Sequence, residues 1–241
     1  MIVAIMQPYF FPYIGYFQLM RAVDEFVFFD DVQYIERGWV NRNRIRTQNG
    51  PAWLTCPVHN DSRSAPIRQR KYILGEAVIE VLKRQLQAAY SRSKAFHTVY
   101  PLICRWLDFQ DPSVSAFNGN LLAGLAGELG IKCRFRFSSE IEQPEGLKGQ
   151  DKIIGICRQL GAEVYVNAIG GMSLYDQERF SQEGLDLRFL RTAAAPDLEG
   201  DPAGYLSIID ALMREGVEGV RGKLDQYTLL APEGEDARLG R

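Results

Sequence analysis

Histidine is almost missing: only His59 and His97 occur in 241 residues. A Ser-His-Asp or Cys-His mechanism therefore has almost no candidate base. The four cysteines, Cys56, Cys104, Cys133 and Cys157, lie far apart and form no CxxC pair. With so few imidazoles beside them, no metal site is expected. No apolar run reaches the ~20 residues that span a bilayer, so no membrane insertion is expected. Met1–Met6 is too short for the apolar core of a secretory signal, and no cationic segment precedes it. Unpaired cysteines and the missing signal together point to a reducing cytoplasm. A strong charge of one sign is also absent. The formal net charge is −2, which gives no field to hold a nucleic acid, although local basic clusters can still bind phosphate. There is no internal repeat and no long linker.

What the chain does have is concentrated at its start. The apolar run Ile2–Met6 stops at Gln7-Pro8, and Tyr9, Phe10, Phe11, Pro12, Tyr13, Gly15 and Tyr16 follow. This reads as strand, rigid turn, helix. In an open α/β sheet the turn after the first strand is where ligands sit. The alternative is an aromatic mini-core tying strand to helix. A second apolar run, Glu25–Phe29, ends in Asp30-Asp31. Strand, helix, strand makes a βαβ unit with a right-handed crossover. That crossover brings Gln7–Tyr16 near Asp30, Asp31 and Gln33.

Further along, Ala52–Val58 reads as a strand and Ile67–Ile73 as another. Helices are expected at Ala77–Tyr90, near His97–Leu107 and at Val114–Leu129. Cys133–Phe137 is a strand, Ile153–Leu160 a helix closed by Gly161, and Val164–Val166 a strand. Gln177–Gln182 is helical, Leu185–Leu190 a strand and Tyr205–Arg214 a last helix. The expected fold is α/β with a mainly parallel sheet, helices on both faces and a helical insertion. Residues 1–230 are expected to form one domain, and residues 231–241 a polar tail.

Four segments could carry chemistry. Rossmann-like nucleotidyltransferases place His-x-Gly-His after the first strand, where glycine admits the nucleotide and the histidines stabilise triphosphate charge. Tyr13-Ile-Gly15-Tyr16 has that spacing without the histidines. A phenol donates a hydrogen bond to phosphate but carries no positive charge. The second segment is Arg37–Arg46, where Arg42 and Arg44 alternate with Asn41 and Asn43 near Trp39. Guanidinium forks suit phosphate or carboxylate, although a solvated strand face reads similarly. In the third, Asp151 and Lys152 open a helix beside Gly149. Asp151 is either a first-turn acid or part of an anion site. The fourth is Asn167–Asp176, whose Gly170-Gly171 can form an anion-binding turn beside Tyr175. His59 and His97 sit in or beside loops and read as surface residues.

Six blocks resemble the WbqC-like protein family: Gln7–Phe17, Trp39–Ile45, Trp53–Val58, Lys148–Ile153, Gly170–Asp176 and Leu206–Met213. Genes of this family often accompany surface-polysaccharide (O-antigen) clusters. The resemblance implies a cytoplasmic bacterial protein of surface glycan or related small-molecule biosynthesis, while the strand–turn–helix spacing around Gly15 makes the expected fold Rossmann-like and nucleotidyltransferase-related. Family members tend to carry further aromatics after the Leu190 strand, whereas this chain has the bland stretch Thr192–Pro202.

The expected function is a transferase acting on an activated, phosphate-bearing small molecule: a nucleotide, a nucleotide-sugar or an acyl-adenylate. Arg42, Arg44 and Lys152 would stabilise charge. Gln7, Tyr9, Tyr13, Gly15, Tyr16, Asp31, Asn41, Asn43, Asp151, Asn167, Gly170, Gly171 and Tyr175 would bind substrate. The cofactor is not fixed by these residues; a nucleotide with Mg2+ is the candidate. A non-catalytic nucleotide- or sugar-binding partner of a glycosyltransferase is one alternative, and an ATP-dependent amide-forming ligase is another. A homodimer stays open.

Overall fold

A computed structural model describes residues 1–194 and 204–232. Its main sheet contains β1 (Ile2–Met6), β2 (Glu25–Phe28), β5 (Arg134–Phe137), β6 (Val164–Ala168), β7 (Asp186–Thr192) and β8 (Tyr227–Leu230). They lie side by side as β5-β2-β1-β6-β7-β8. Numbered within this sheet, that is the 3-2-1-4-5-6 order of the doubly wound Rossmann-like fold. Every pair is parallel except the edge pair β7–β8.

Right-handed crossovers dictate which face each helix takes. From β1 the chain runs outward through α1 (Ile14–Arg21) to β2, then through α4 (Val114–Glu128) to β5. It returns to the centre through α5 (Gly149–Leu160) and α6 (Gln177–Gln182) on the opposite face. Residues alternate accordingly. Ala4, Phe26, Phe28 and Val166 pack with Phe17 of α1, Leu121 of α4 and Ile209 of α7 (Ile208–Arg221). Val3, Ile5, Val27 and Tyr165 pack with Ile153, Ile156 and Cys157 of α5 and Phe180 of α6. Burial on both faces is why β1 and β2 read as continuous apolar runs.

The insertion between β2 and α4 carries an antiparallel ribbon, β3 (Arg42–Thr47) and β4 (Gly50–Thr55), then α2 (Glu76–Tyr90) and α3 (Phe96–Leu107). Three expectations need correction. Ile67–Ile73 is not a strand: Ile67–Gln69 is a 3-10 turn, followed by single bridges from Lys71 to Ser113 and from Tyr72 to Val58. Its backbone partners are short loops, Tyr72 N–H donating to Pro112 O and Ile73 N–H to Pro57 O, so no ladder can extend. The last helix continues to Arg221 across a break at Gly216, where φ is 74°. β8 closes the sheet edge, a strand whose short Tyr-Thr-Leu-Leu run was not read from the sequence. Among the described residues no helix is long and apolar enough to cross a membrane. Residues 195–202 of the bland stretch and 233–241 of the expected tail lie outside the described residues.

Candidate functional site

The strand order reverses between β1 and β6. Beyond the carboxyl ends of these strands lie the turn Gln7–Tyr13 and the 3-10 segment Ile169–Leu174. This is where an open α/β sheet leaves a crevice.

The first turn is held from three directions. Phe11 has φ 42°, in the left-handed region that an aromatic residue rarely adopts. Its carbonyl accepts Asn43 Nδ2 at 2.9 Å and Ser207 Oγ at 2.7 Å. Asn118 Nδ2, from α4, donates to Pro8 O at 2.8 Å. Phe10 N–H donates to Trp39 O and Ile208 N–H to Pro12 O. The ribbon, α4 and the start of α7 thus fix one backbone path. Asn43 spends its amide on this task, and buried Asn41 spends its own on Cys56 O at 3.0 Å.

The five aromatics divide between packing and display. Phe10 and Phe11 are fully buried, and so is Tyr16, whose hydroxyl donates to Gln7 O at 2.8 Å. Tyr9 and Tyr13 are only partly buried. Tyr9 lies against Tyr16 with ring centroids 5.6 Å apart, and Tyr13 stacks on Tyr205 at 4.9 Å. Neither hydroxyl, nor the Gln7 side chain, has a hydrogen-bond partner among the described residues. Burial, then Tyr205 and Tyr9, pushes Tyr13 up to about 12. Burial, then Tyr175, raises Tyr9. Both phenols are therefore donors at neutral pH. Gly15 serves Tyr13: a Cβ there would lie 2.3 Å from Tyr13 Cε2.

The second loop follows β6, whose end carries Asn167, and includes Tyr175. Asn167, 5% exposed, donates through Nδ2 to Tyr165 Oη at 2.8 Å and to Tyr175 Oη at 2.6 Å. Gly171 packs beside Asn167, with a built Cβ 3.3 Å from Oδ1, while Gly170 is exposed with open space around it.

A third group stands at the end of β2. Lys152, in the first turn of α5, pairs with Asp31 Oδ2 at 2.7 Å and lies 5.5 Å over the Phe29 ring. Ser138 Oγ donates to Asp31 Oδ1 at 2.5 Å. Asp151, one residue earlier, faces away. It pairs with Arg179 at 3.2 Å on the rim of a separate cavity of about 440 Å³ outside α5 and α6.

The two ribbon arginines diverge. Arg44 donates to Tyr205 O at 3.4 Å and so reaches the Tyr13–Tyr205 stack. Arg42 sits 4.0 Å over the Trp53 ring and donates to the Arg37 and Gly38 carbonyls, on the side of Tyr34. The sheet edge thus gathers Gln7, Tyr9, Tyr13, Asn167 and Tyr175, with Asp31–Lys152 and Arg44 beside them. It does not gather Asp151 or Arg42. His97 is exposed at the start of α3. Burial pushes the Cys56 and Cys157 thiols up to about 12, so neither is a thiolate at neutral pH. Sequence reasoning missed Tyr205, Asn118 and Ser138; each acts through a partner far along the chain, which no local pattern announces.

A doubly wound sheet with unsatisfied polar groups at its order reversal defines a Rossmann-like α/β protein. Within that class, the chain belongs to the WbqC-like protein family, whose sequence profile matches residues 7–222. It is also 30% identical over 220 residues to the uncharacterized protein Rv1507c of Mycobacterium tuberculosis. That match covers 90% of this chain and 94% of the relative. No solved structure matches the chain.

Proposed function

We propose that the protein is a cytoplasmic transferase that takes an activated, phosphate-bearing substrate at the carboxyl edge of the sheet. The pathway is bacterial surface polysaccharide or related small-molecule biosynthesis. One observation carries the reading: Gln7, Tyr9 and Tyr13 present unpaired polar groups at the point where the strand order reverses. Tyr9 and Tyr13 would donate to phosphate oxygens. Lys152 and Arg44 would neutralise charge, Asp31 would orient a hydroxyl, and exposed Gly170 would let the substrate approach the second loop. Asn43 and Tyr16 would act by holding the turn, and Asn41 by holding the ribbon through Cys56. An amine or hydroxyl acceptor attacks the activated centre, the phosphate-bearing group leaves with the bonding electron pair, and the acceptor's proton passes to water or to the departing phosphate oxygen. Positioning and charge stabilisation supply the acceleration.

A nucleotide's phosphates fit these donors. Among the described residues no three His, Cys, Asp or Glu side chains gather. Any Mg2+ would ride on the phosphates.

Lys152→Met is expected to weaken phosphate-bearing ligands by roughly tenfold, about 1.4 kcal/mol. Calorimetry with ATP, UDP-glucose and acetyl-coenzyme A checks this, and an unchanged affinity for whichever ligand binds would remove Lys152 from the site. A binding module for a glycosyltransferase is the second reading, favoured because the phenols of Tyr9 and Tyr13 stay protonated at neutral pH and no histidine stands near. Pyrophosphate or ADP release with nucleotide and acceptor marks a ligase; a binding module releases neither.

A further inference from the structure

Arg70 is only 3% exposed. Its backbone is pinned at both ends, N–H to Ile67 O at 3.0 Å and C=O from Val114 N–H at 3.0 Å. The guanidinium lies 4.7 Å over the Tyr34 ring. Its side chain makes no hydrogen bond and no ion pair among the described residues: Nε is fully enclosed, while the two terminal nitrogens are not and have no protein partner. A guanidinium cannot shed its proton, and burying a charge without a partner is costly. Something must offset that cost.

The arginine borders a cavity of about 300 Å³ that Arg37, Arg42, His59 and Asn60 also line. Three arginines line it against one acidic residue, Glu36. Glu36 is exposed, and its nearest cation is Arg63 at 3.9 Å, outside the cavity. Arg37 sits at the rim with φ 59°, in a conformation rare for a side-chain-bearing residue, and its carbonyl is fixed by Arg42. Packing against Tyr34 alone would leave the unpartnered terminal nitrogens of a buried arginine and the excess positive charge without a reason.

We infer that this cavity is an oxyanion-binding site, with Arg70 as the buried bidentate donor at its floor and Arg37 and Arg42 at its rim. The ligand class is a phosphate or carboxylate group. Forked guanidiniums match the paired oxygens of either. The site stands apart from the transferase reading, because it requires neither a nucleotide nor group transfer.

The test uses the full chain in phosphate-free buffer, titrated with inorganic phosphate and, separately, acetate, and read by thermal unfolding and calorimetry. At least one anion is expected to raise Tm saturably, and which one does separates a phosphate ligand from a carboxylate. Arg70→Met is expected to abolish that rise. Without anion it should unfold no lower than the wild type, since it removes an uncompensated charge. Arg37→Ala, at the exposed rim, should weaken the anion at least threefold with no change in anion-free Tm, which keeps the test open should Arg70→Met fail to fold. Lys152→Met should leave the anion effect intact, so failure here and failure at the sheet edge remain separate. The inference falls if neither anion gives a saturable shift, if the shift survives Arg70→Met, or if Arg37→Ala binds with undiminished affinity.

Discussion

Gly15→Ala is expected to destabilise the protein by about 1–3 kcal/mol in the presence of Tyr13, as overpacked sites do. In a Tyr13→Ala background it should cost nothing. The reason is one collision. A Cβ at position 15 lies 2.3 Å from Tyr13 Cε2, 2.7 Å from Cζ and 2.8 Å from the hydroxyl. The phenol must leave, and with it the stack on Tyr205 at 4.9 Å. Such ring pairs contribute about 0.5–1.5 kcal/mol beyond burial. Once Tyr13 is truncated the obstacle is gone. Alanine then gains up to ~1 kcal/mol over glycine from helix propensity. The coupling between the two positions should therefore approach the whole single-mutant cost, and denaturant unfolding of the four proteins measures it. Additive effects would mean that the ring yields freely. Because Tyr13 is the displayed phenol, Gly15→Ala should also lose ligand binding, through Tyr13 rather than through direct crowding of the ligand.

Asp30→Ala is expected to cost about 1–3 kcal/mol, since a buried donor left without an acceptor is penalised at ~1–3 kcal/mol. Asp30 is 2% exposed. It accepts Ser115 Oγ at 2.7 Å, Ser138 Oγ at 3.2 Å, and Ser139 N–H and Oγ each at 3.0 Å. One carboxylate thus joins the ends of β2 and β5 to the first turn of α4, where the helix dipole also favours negative charge. Ser139 is exposed and water can replace its partner, and Ser138 keeps Asp31 as its closer acceptor at 2.5 Å, so the cost rests mainly on buried Ser115. Ser138 also holds Asp31. Asp30→Ala should therefore loosen the Asp31–Lys152 pair and weaken ligand binding as well. Asp31→Ala, at a partly exposed position, should weaken binding at a stability cost under ~1 kcal/mol. A loss below ~1 kcal/mol for Asp30→Ala would show that the serines find other partners.

These two residues also mark what a sequence can and cannot disclose. The apolar runs at Ile2–Met6 and Glu25–Phe29 and the handedness of the crossover suffice to bring the aromatic turn beside Asp30 and Asp31. They cannot divide the labour between the two aspartates, because Ser115 and Ser138 arrive from elements far along the chain. Gly15 follows the spacing of a nucleotide-binding turn, yet its space is filled by Tyr13, whose ring direction no pattern encodes. Asn41 and Asn43 looked like substrate donors among arginines. Which ribbon face turns inward depends on the register of β3 against β4 and on Phe10–Phe11 beneath it. Arg70 carries no signal in the sequence: one arginine in the expected strand Ile67–Ile73 becomes informative only when it packs on Tyr34 beside the cavity that Arg42 also lines.

The most direct test of the sheet-edge site is a titration of tyrosine-labelled protein, followed by NMR, with ATP, UDP-glucose and acetyl-coenzyme A in turn. The expected result is that one of them binds saturably and shifts the resonances of Tyr9, Tyr13 and Tyr175. Tyr72, buried and bonded to Val40 and Asn118, should stay unmoved. If none of the three ligands moves these resonances, or if a binding ligand moves only Tyr34, the order reversal of the sheet is not where this protein meets its substrate.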